Sequence, residues 1–210
     1  ALYDNIKTGA RAFAGINAVD PNSIESIGGG DPLPFLTYAN ADINEGLIAH
    51  YPFDGNANDE SGNGYDCLPH GDPGYVDGLD GQAVYATQDY FTITPAPSIV
   101  SEFSVCFWMN ADEVTGSYGG GPGGEGYTVY TTQPYKDWRG FGIRQDAKHI
   151  SVFLNKGAQQ ERRFLESADF IQKNNWHFVA VTCDGSTVKV FHDGNATPVL
   201  SENFSGLLPN

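Results

Sequence analysis

The sequence predicts an all-β protein, an antiparallel jelly-roll β-sandwich with a short N-terminal helix and linker extension. The 26 glycines and 12 prolines suit short strands joined by tight turns and suit a helical bundle poorly. Short segments of alternating apolar and polar residues recur at regular intervals after residue 46. Asp-Gly dipeptides at 184–185 and 193–194 follow two of these segments, which is a strong hairpin signal. Together these features predict strands paired through turns.

Composition limits the classes of partner. The 210-residue chain is long enough to bury a full core, and its formal net charge is −15. Such acidity disfavours nucleic acids and anionic membrane surfaces as partners, because both require positive potential. No stretch approaches the roughly 20 apolar residues that span a bilayer. The acidity fits an extracellular or cell-surface protein and leaves carboxylates available for divalent cations.

The N-terminal part differs in composition from the rest. In residues 1–18 apolar residues recur at spacings of three and four, which predicts a short amphipathic helix weakened by Gly9 and Gly15. Residues 19–34 contain three prolines and a triple glycine, which predicts a linker. We therefore expect residues 1–45 to be a helix and linker or a docking arm, and residues 46–210 to be the jelly-roll domain.

The domain begins with a predicted strand in residues 46–53, here called the leading segment, followed by an oxygen-rich loop. Two readings of that loop are open. Carboxylate, amide and hydroxyl oxygens can bind a hard cation, and the same side chains are also common in turns that hold no metal. The oxygen donors of the loop are Asp54, Asn56, Asn58, Asp59, Glu60, Ser61 and Asn63.

The remaining strands follow in order. Alternating residues predict strands at 82–94 and 103–109, then a glycine-rich loop at 116–127. The segments VYTTQ, FGIRQ and ISVFLN predict three short strands, and 158–173 is expected to form a strand and a turn. A hairpin is predicted from Trp176 to Cys183 and from Thr187 to His192, joined by the turn at 184–185.

Catalytic patterns are absent from the sequence. Acidic residues cluster in turns, whereas a glycosidase needs a pair of carboxylates held about 5–9 Å apart. There is no G-x-S-x-G or H-E-x-x-H motif, and the five histidines lack ligand spacing. We therefore expect a non-catalytic protein.

Ligand contacts are expected on or beside the glycine-rich loop, because aromatic faces stack on sugar rings or peptide side chains and polar neighbours fix the orientation. The candidate ligand-binding residues are Tyr118, Tyr127, Tyr135, Trp138 and Arg139. Two sequons mark Asn195 and Asn203 as candidate glycosylation sites.

Three segments carry a resemblance to a known family. They are GLIAHYPFDGNANDESGNG, EFSVCFWMNAD and NWHFVAVTCDGSTVKVFHDGN. In order and spacing they resemble the laminin-G-like, concanavalin A-like jelly-roll modules of secreted proteins. The resemblance implies binding of glycan or protein ligands and a structural Ca²⁺ on the rim. The implied calcium contributors are Asp59, Asn63, Asp54 and Asp89.

The same resemblance implies two further features. Members of the family close with further strands, whereas this sequence stops at LLPN, so we expect a missing strand partner that another chain could supply. The related pentraxins imply a disulfide between Cys106 and Cys183. A Cys67–Cys183 pair or three free thiols are alternatives.

Three functions remain open at this stage. The favoured one is a non-catalytic, calcium-stabilised extracellular module that binds glycan or protein. The second is a structural subunit of an extracellular filament or surface assembly, which self-assembles through residues 1–45 and an open sheet edge. The least favoured is a carbohydrate-active enzyme.

Overall fold

A computed structural model of the chain describes residues 46–85, 89–97, 102–114, 127–131, 139–156 and 163–204. Every strand pair in these ranges is antiparallel, which confirms the all-β prediction. The helix predicted for residues 1–18 lies outside them. The strands are β1 (Cys67–His70), β2 (Gly74–Asp77), β3 (Gln82–Tyr85), β4 (Tyr90–Ile93), β5 (Glu102–Asn110), β6 (Tyr127–Thr131), β7 (Arg139–Asp146), β8 (His149–Lys156), β9 (Arg163–Glu166), β10 (Trp176–Asp184), β11 (Thr187–His192) and β12 (Leu200–Asn203).

The chain divides into two compact units, Ala1–Pro97 and Ser98–Asn210. In the first unit β2 and β3 form one two-stranded ribbon, and β1 and β4 form a second. The β2–β3 ribbon is therefore inserted in sequence between the two strands of the β1–β4 ribbon. One face of β4 is covered, because Phe91 packs on Phe53 with ring centroids 5.7 Å apart, and Phe53 stacks on Tyr51.

The second unit is a sandwich of two four-stranded sheets. One sheet has the order β12-β11-β10-β5 and the other β6-β7-β8-β9. Alternating side chains of β5, β7, β8, β10 and β11 point inward and form one apolar cluster. Phe103 of the first sheet stacks on Phe141 of the second with ring centroids 4.1 Å apart. The fully buried members of this core are Phe141, Ile143, Ile150, Val152, Leu154, Val179, Val181, Val188 and Val190.

Several sequence predictions for individual elements are confirmed. The strand predicted at 103–109 corresponds to β5, and the predicted hairpin corresponds to β10 and β11 with their turn at residues 185–186. The three short strands predicted after the glycine-rich loop correspond to β6, β7 and β8. The strand and turn predicted at 158–173 correspond to β9 and the irregular segment that follows it.

Two predicted strands differ in the structure. The leading segment forms no strand, because side chains of the following loop accept and donate where a neighbouring strand would pair. The strand predicted at 82–94 is two strands in different ribbons, β3 and β4. Apolar alternation continues through both, so periodicity alone does not reveal the change of partner.

The Cys106–Cys183 disulfide implied by the resemblance is not formed, since all three cysteines are free. Cys106 pairs with Ala180 in the ladder between β5 and β10, whereas Cys183 pairs with Phe103. The two thiols therefore point to opposite faces of one sheet, where no rotamer can join them. Burial raises the pKa of the Cys106 thiol to about 12, so it is a poor nucleophile.

Nowhere in the described ranges is there a helix long and apolar enough to cross a membrane.

Candidate functional site

The loop after the leading segment is organised around the carboxylate of Asp59. Its Oδ1 accepts the backbone N–H groups of His50 and Ser61, both at 2.9 Å. Its Oδ2 accepts the N–H of Tyr65 at 3.0 Å and the hydroxyl of Ser61 at 2.8 Å. Burial opposes the ionised form, but these donors outweigh it and lower the pKa of Asp59 from 3.8 to about 2. Asp59 is therefore ionised and ties three parts of the loop together.

Backbone carbonyls and side chains converge beside this carboxylate. The Asn63 side-chain amide donates to Leu47 O at 2.9 Å and to Ile48 O at 3.0 Å. The Ser61 hydroxyl lies 3.2 Å from Ile48 O and 2.8 Å from Asp59 Oδ2. Three oxygen-bearing groups, the carbonyls of Leu47 and Ile48 and the Asp59 carboxylate, thus surround the Asn63 amide and the Ser61 hydroxyl. Oxygen donors of this kind are the ligands that Ca²⁺ prefers.

The other two predicted calcium contributors belong to other turns. Asp54 Oδ1 accepts the N–H of Gln82 at 3.0 Å, which places this carboxylate beside the β2–β3 turn. Asp89 Oδ1 accepts the N–H of Asp72 at 3.0 Å, at the end of the β1–β4 ribbon. Each carboxylate closes a turn, as aspartate and asparagine side chains commonly do in loops that hold no metal.

The donor chemistry decides which predicted residues fit a metal. Within the ranges that the structure describes, no three histidine, cysteine, aspartate or glutamate side chains converge on one point. A cation in the first unit would therefore depend on carbonyl, amide and hydroxyl oxygens next to one carboxylate. Asp59 and Asn63 fit such a set, together with the carbonyls of Leu47 and Ile48. Asp54 and Asp89 do not share it.

The structure describes the backbone of two of the five predicted ligand-binding residues. Tyr118, Tyr135 and Trp138 lie outside the described residues. Tyr127 begins β6 and Arg139 begins β7, and the backbone register pairs Tyr127 with Gln145 and Arg139 with Lys156.

The candidate glycosylation sites are at the surface. Asn195 is exposed in the turn after β11, and its N–H bonds to His192 O. Asn203 is exposed at the end of β12, where its side-chain oxygen accepts the Thr187 hydroxyl at 3.2 Å.

An exposed aromatic face on the β1–β4 ribbon was not predicted. The register pairs His70 with Tyr90 and Leu68 with Thr92, so all four side chains lie on one face. The His70 and Tyr90 rings stack with centroids 4.5 Å apart and planes 8° apart. His70 Nε2 lies 2.9 Å from Thr92 Oγ1. We call these four residues the ribbon face. The alternation of residues in YFTI indicates which β4 side chains share a face. The pairing of His70 with Tyr90, 20 positions later, cannot be predicted from the sequence.

A second polar cluster lies at one end of the sandwich. His177 is 7% exposed, and its Nε2 accepts the backbone N–H of Gln172 at 3.0 Å. Its Nδ1 must then carry the proton, which it donates to Asp193 Oδ2 at 2.9 Å. His192 Nδ1 lies 3.0 Å from the same oxygen, and the His192 ring stacks on Phe170. This arrangement occupies both ring nitrogens of His177, so neither of them is free to bind substrate or metal.

Beside this cluster lies an open depression of about 410 Å³. Its floor is the segment after β9, held by N–H bonds from Phe170 and Ile171 to Lys148 O. Its rim is exposed: Lys173 and Asp169 side chains are each more than half exposed. The lining residues are Val114, Lys148, Asp169, Phe170, Ile171, Gln172 and Lys173.

Comparison with known proteins identifies a family for most of the second unit. The model of Laminin_G_3, described as the concanavalin A-like lectin/glucanases superfamily, matches residues 85–206. No curated protein matches the sequence. Among solved structures, domain 4 of AbnA, a GH43 extracellular arabinanase from Geobacillus stearothermophilus in complex with arabinotriose, is 20% identical with a TM-score of 0.48. That match covers 76% of this chain and 76% of the other.

Proposed function

We propose that this chain, which belongs to the concanavalin A-like lectin/glucanase superfamily, is a non-catalytic extracellular module that binds glycans. The superfamily comprises both binding proteins and hydrolases, so the proposal rests on the chemistry of this chain's own acidic residues. An extracellular location is in keeping with the formal net charge of −15 and with the exposed sequons at Asn195 and Asn203.

The observation that supports binding over hydrolysis is the state of the turn carboxylates. Asp59, Asp184 and Asp193 each accept backbone N–H groups. These bonds favour the ionised form, and the pKa of each carboxyl is lowered. A glycosidase needs a carboxyl of raised pKa to protonate the leaving group. Carboxylates held ionised in turns are suited to maintaining loop shape.

A structural calcium ion in the first unit is part of the proposal. Asp59 and Asn63, with the carbonyl oxygens of Leu47 and Ile48, would hold it, once the Asn63 amide presents its oxygen. The ion would add positive charge next to an ionised carboxylate and so stabilise the loop. We assign it no chemical step.

Binding and hydrolysis can be measured on the same preparation. Wild-type protein is applied to a glycan array in buffer with calcium and in buffer with EDTA, and is separately incubated with the bound glycans in a reducing-end assay. We expect binding without release of reducing ends. Absence of binding to every glycan, or turnover that survives further purification, would overturn the proposal.

Calcium is tested independently by thermal unfolding. We expect calcium to raise the unfolding temperature of the EDTA-treated protein, and we expect Asn63→Ala to remove that shift. Asn175→Ala is the matched control, because the Asn175 side chain bonds to Gln172 in the other unit. An unchanged unfolding temperature on adding calcium would remove the ion from the proposal and leave glycan binding standing.

A further inference from the structure

We propose that the ribbon face, formed by Leu68, His70, Tyr90 and Thr92, is a stacking site for a sugar ring of a neutral glycan. This inference rests on the proposed function and gives it a place on the molecule. The site lies wholly in the first unit, whereas the glycine-rich loop, where ligand contacts were predicted from sequence, belongs to the second unit.

The first argument is the unused surface of Tyr90. Its side chain is 59% exposed although one face of its ring is stacked on His70. More than half of the residue can face solvent only if the opposite ring face is open. Leu68, also 59% exposed, extends the same apolar surface. An aromatic face that is open and bordered by aliphatic surface matches the C–H face of a sugar ring.

The second argument is preorganisation. One face of the Tyr90 ring is held by the His70 ring, and His70 is fixed in turn by its contact with Thr92 Oγ1 at 2.9 Å. Thr92 is β-branched and has few rotamers. A ligand that stacks here therefore costs little side-chain entropy, which is one of the costs of binding at an exposed aromatic residue.

The third argument concerns polar groups at the margin. Asp89 precedes Tyr90 and uses Oδ1 to accept the N–H of Asp72. Within the described residues no donor is bonded to Asp89 Oδ2, so this oxygen is available to a ligand hydroxyl. Tyr90 itself adds a hydroxyl to this surface and is 59% exposed. Sugar hydroxyls are both donors and acceptors and suit such a mixed margin.

Charge selects the class of glycan. The chain carries a formal net charge of −15, and Asp72 and Asp89 flank the ribbon face. A uronate or sulfate group would approach two carboxylates in an acidic field, which is unfavourable. We therefore commit to an uncharged glycan.

The test uses affinity electrophoresis and calorimetry of the full chain with mixed-linkage β-glucan, xylan and galactomannan, and with polygalacturonate as the anionic probe. We expect wild type to bind at least one neutral polysaccharide in preference to polygalacturonate. Tyr90→Ala should weaken that binding by about tenfold or more, and Tyr90→Phe should retain it within about threefold. Tyr85→Ala is the matched control, since Tyr85 is 47% exposed on the other ribbon.

The outcomes separate the site from the function. If wild type binds none of the polysaccharides, the proposed function and this site both fail. If wild type binds and Tyr90→Ala binds equally well, or Tyr85→Ala loses as much, the site fails while glycan binding stands. Preference for polygalacturonate overturns the ligand class. Should Tyr90→Ala misfold, ring-proton shifts of His70 in wild type on adding the polysaccharide replace it, and unchanged shifts overturn the site.

Discussion

The Asp59 carboxylate connects chain segments that lie up to 15 positions apart. It accepts the N–H groups of His50, Ser61 and Tyr65. One side chain therefore supplies hydrogen bonds of the kind that backbone carbonyls supply between two paired strands. A substitution that removes the charge of Asp59 and keeps the shape of its side chain leaves several N–H groups with a weaker acceptor.

We therefore expect Asp59→Asn to lower the free energy of unfolding in urea by about 1–2 kcal/mol. Asp77→Asn is the control, because Asp77 is exposed on β2 and its side chain makes no hydrogen bond among the described residues. Equal midpoints for the two variants would contradict the structural role of Asp59.

The same carboxylate predicts a dependence on pH. Its pKa is about 2 in the folded protein and 3.8 in the reference state, so the folded state binds fewer protons between these values. The stability that Asp59 contributes is therefore complete above about pH 5 and is lost progressively as the pH falls toward 2. We expect the stability difference between wild type and Asp59→Asn to shrink over that interval in urea titrations. A difference that stays constant would contradict the assignment.

His177 provides a spectroscopic prediction at the same scale. Because Gln172 N–H donates to Nε2, the neutral ring must carry its proton on Nδ1. We expect long-range ¹H–¹⁵N spectra near pH 7.5 to show the Nδ1–H tautomer for His177. A protonated Nε2 would contradict the bond to Gln172.

At the scale of elements, the β1–β4 ribbon ends where Asp89 crosses over Gly71. Gly71 has φ +95°, and a Cβ built there would lie 2.0 Å from Asp89 Oδ1. The bond from Asp72 N–H to Asp89 therefore requires glycine for two reasons, backbone conformation and space.

This predicts unequal effects for two glycine substitutions. Gly71→Ala should cost about 3 kcal/mol or more in urea unfolding, because it adds a steric clash to backbone strain. Gly62→Ala should cost about 1 kcal/mol, since Gly62 has φ +87° and nothing within 4 Å of its Cβ position. Similar losses for both variants would show that the contact with Asp89 is unimportant.

The elements that sequence could predict are those defined by local signals. The β10–β11 hairpin follows from an Asp-Gly turn between alternating apolar residues, and β5 follows from its own alternation. The ribbon face could not be predicted, because His70 and Tyr90 meet only when β1 and β4 pair around the inserted β2–β3 ribbon. The leading segment was wrongly predicted as a strand, since its apolar pattern does not reveal that Asn63 and Ser61 satisfy its carbonyls.

For the whole molecule, the dominant property is acidity. A formal net charge of −15 makes the compact state repel itself, and salt weakens that repulsion.

We expect the unfolding temperature at pH 7, with EDTA present, to rise by a few degrees when NaCl is raised from about 10 mM to about 150 mM, since the Debye length falls from about 30 Å to about 8 Å. At a pH near the pI of 4.4 the same increase in salt should have little effect. An equal response at both pH values would point to a salt effect unrelated to net charge.

The side-chain bonds to Leu47 O and Ile48 O also bear on association between molecules. Carbonyls left open on an extended apolar segment invite a strand from another chain. Here the side-chain amide of Asn63 donates to both carbonyls. A strand from another chain that paired at Leu47 and Ile48 would therefore have to compete with the protein's own loop for these two carbonyls.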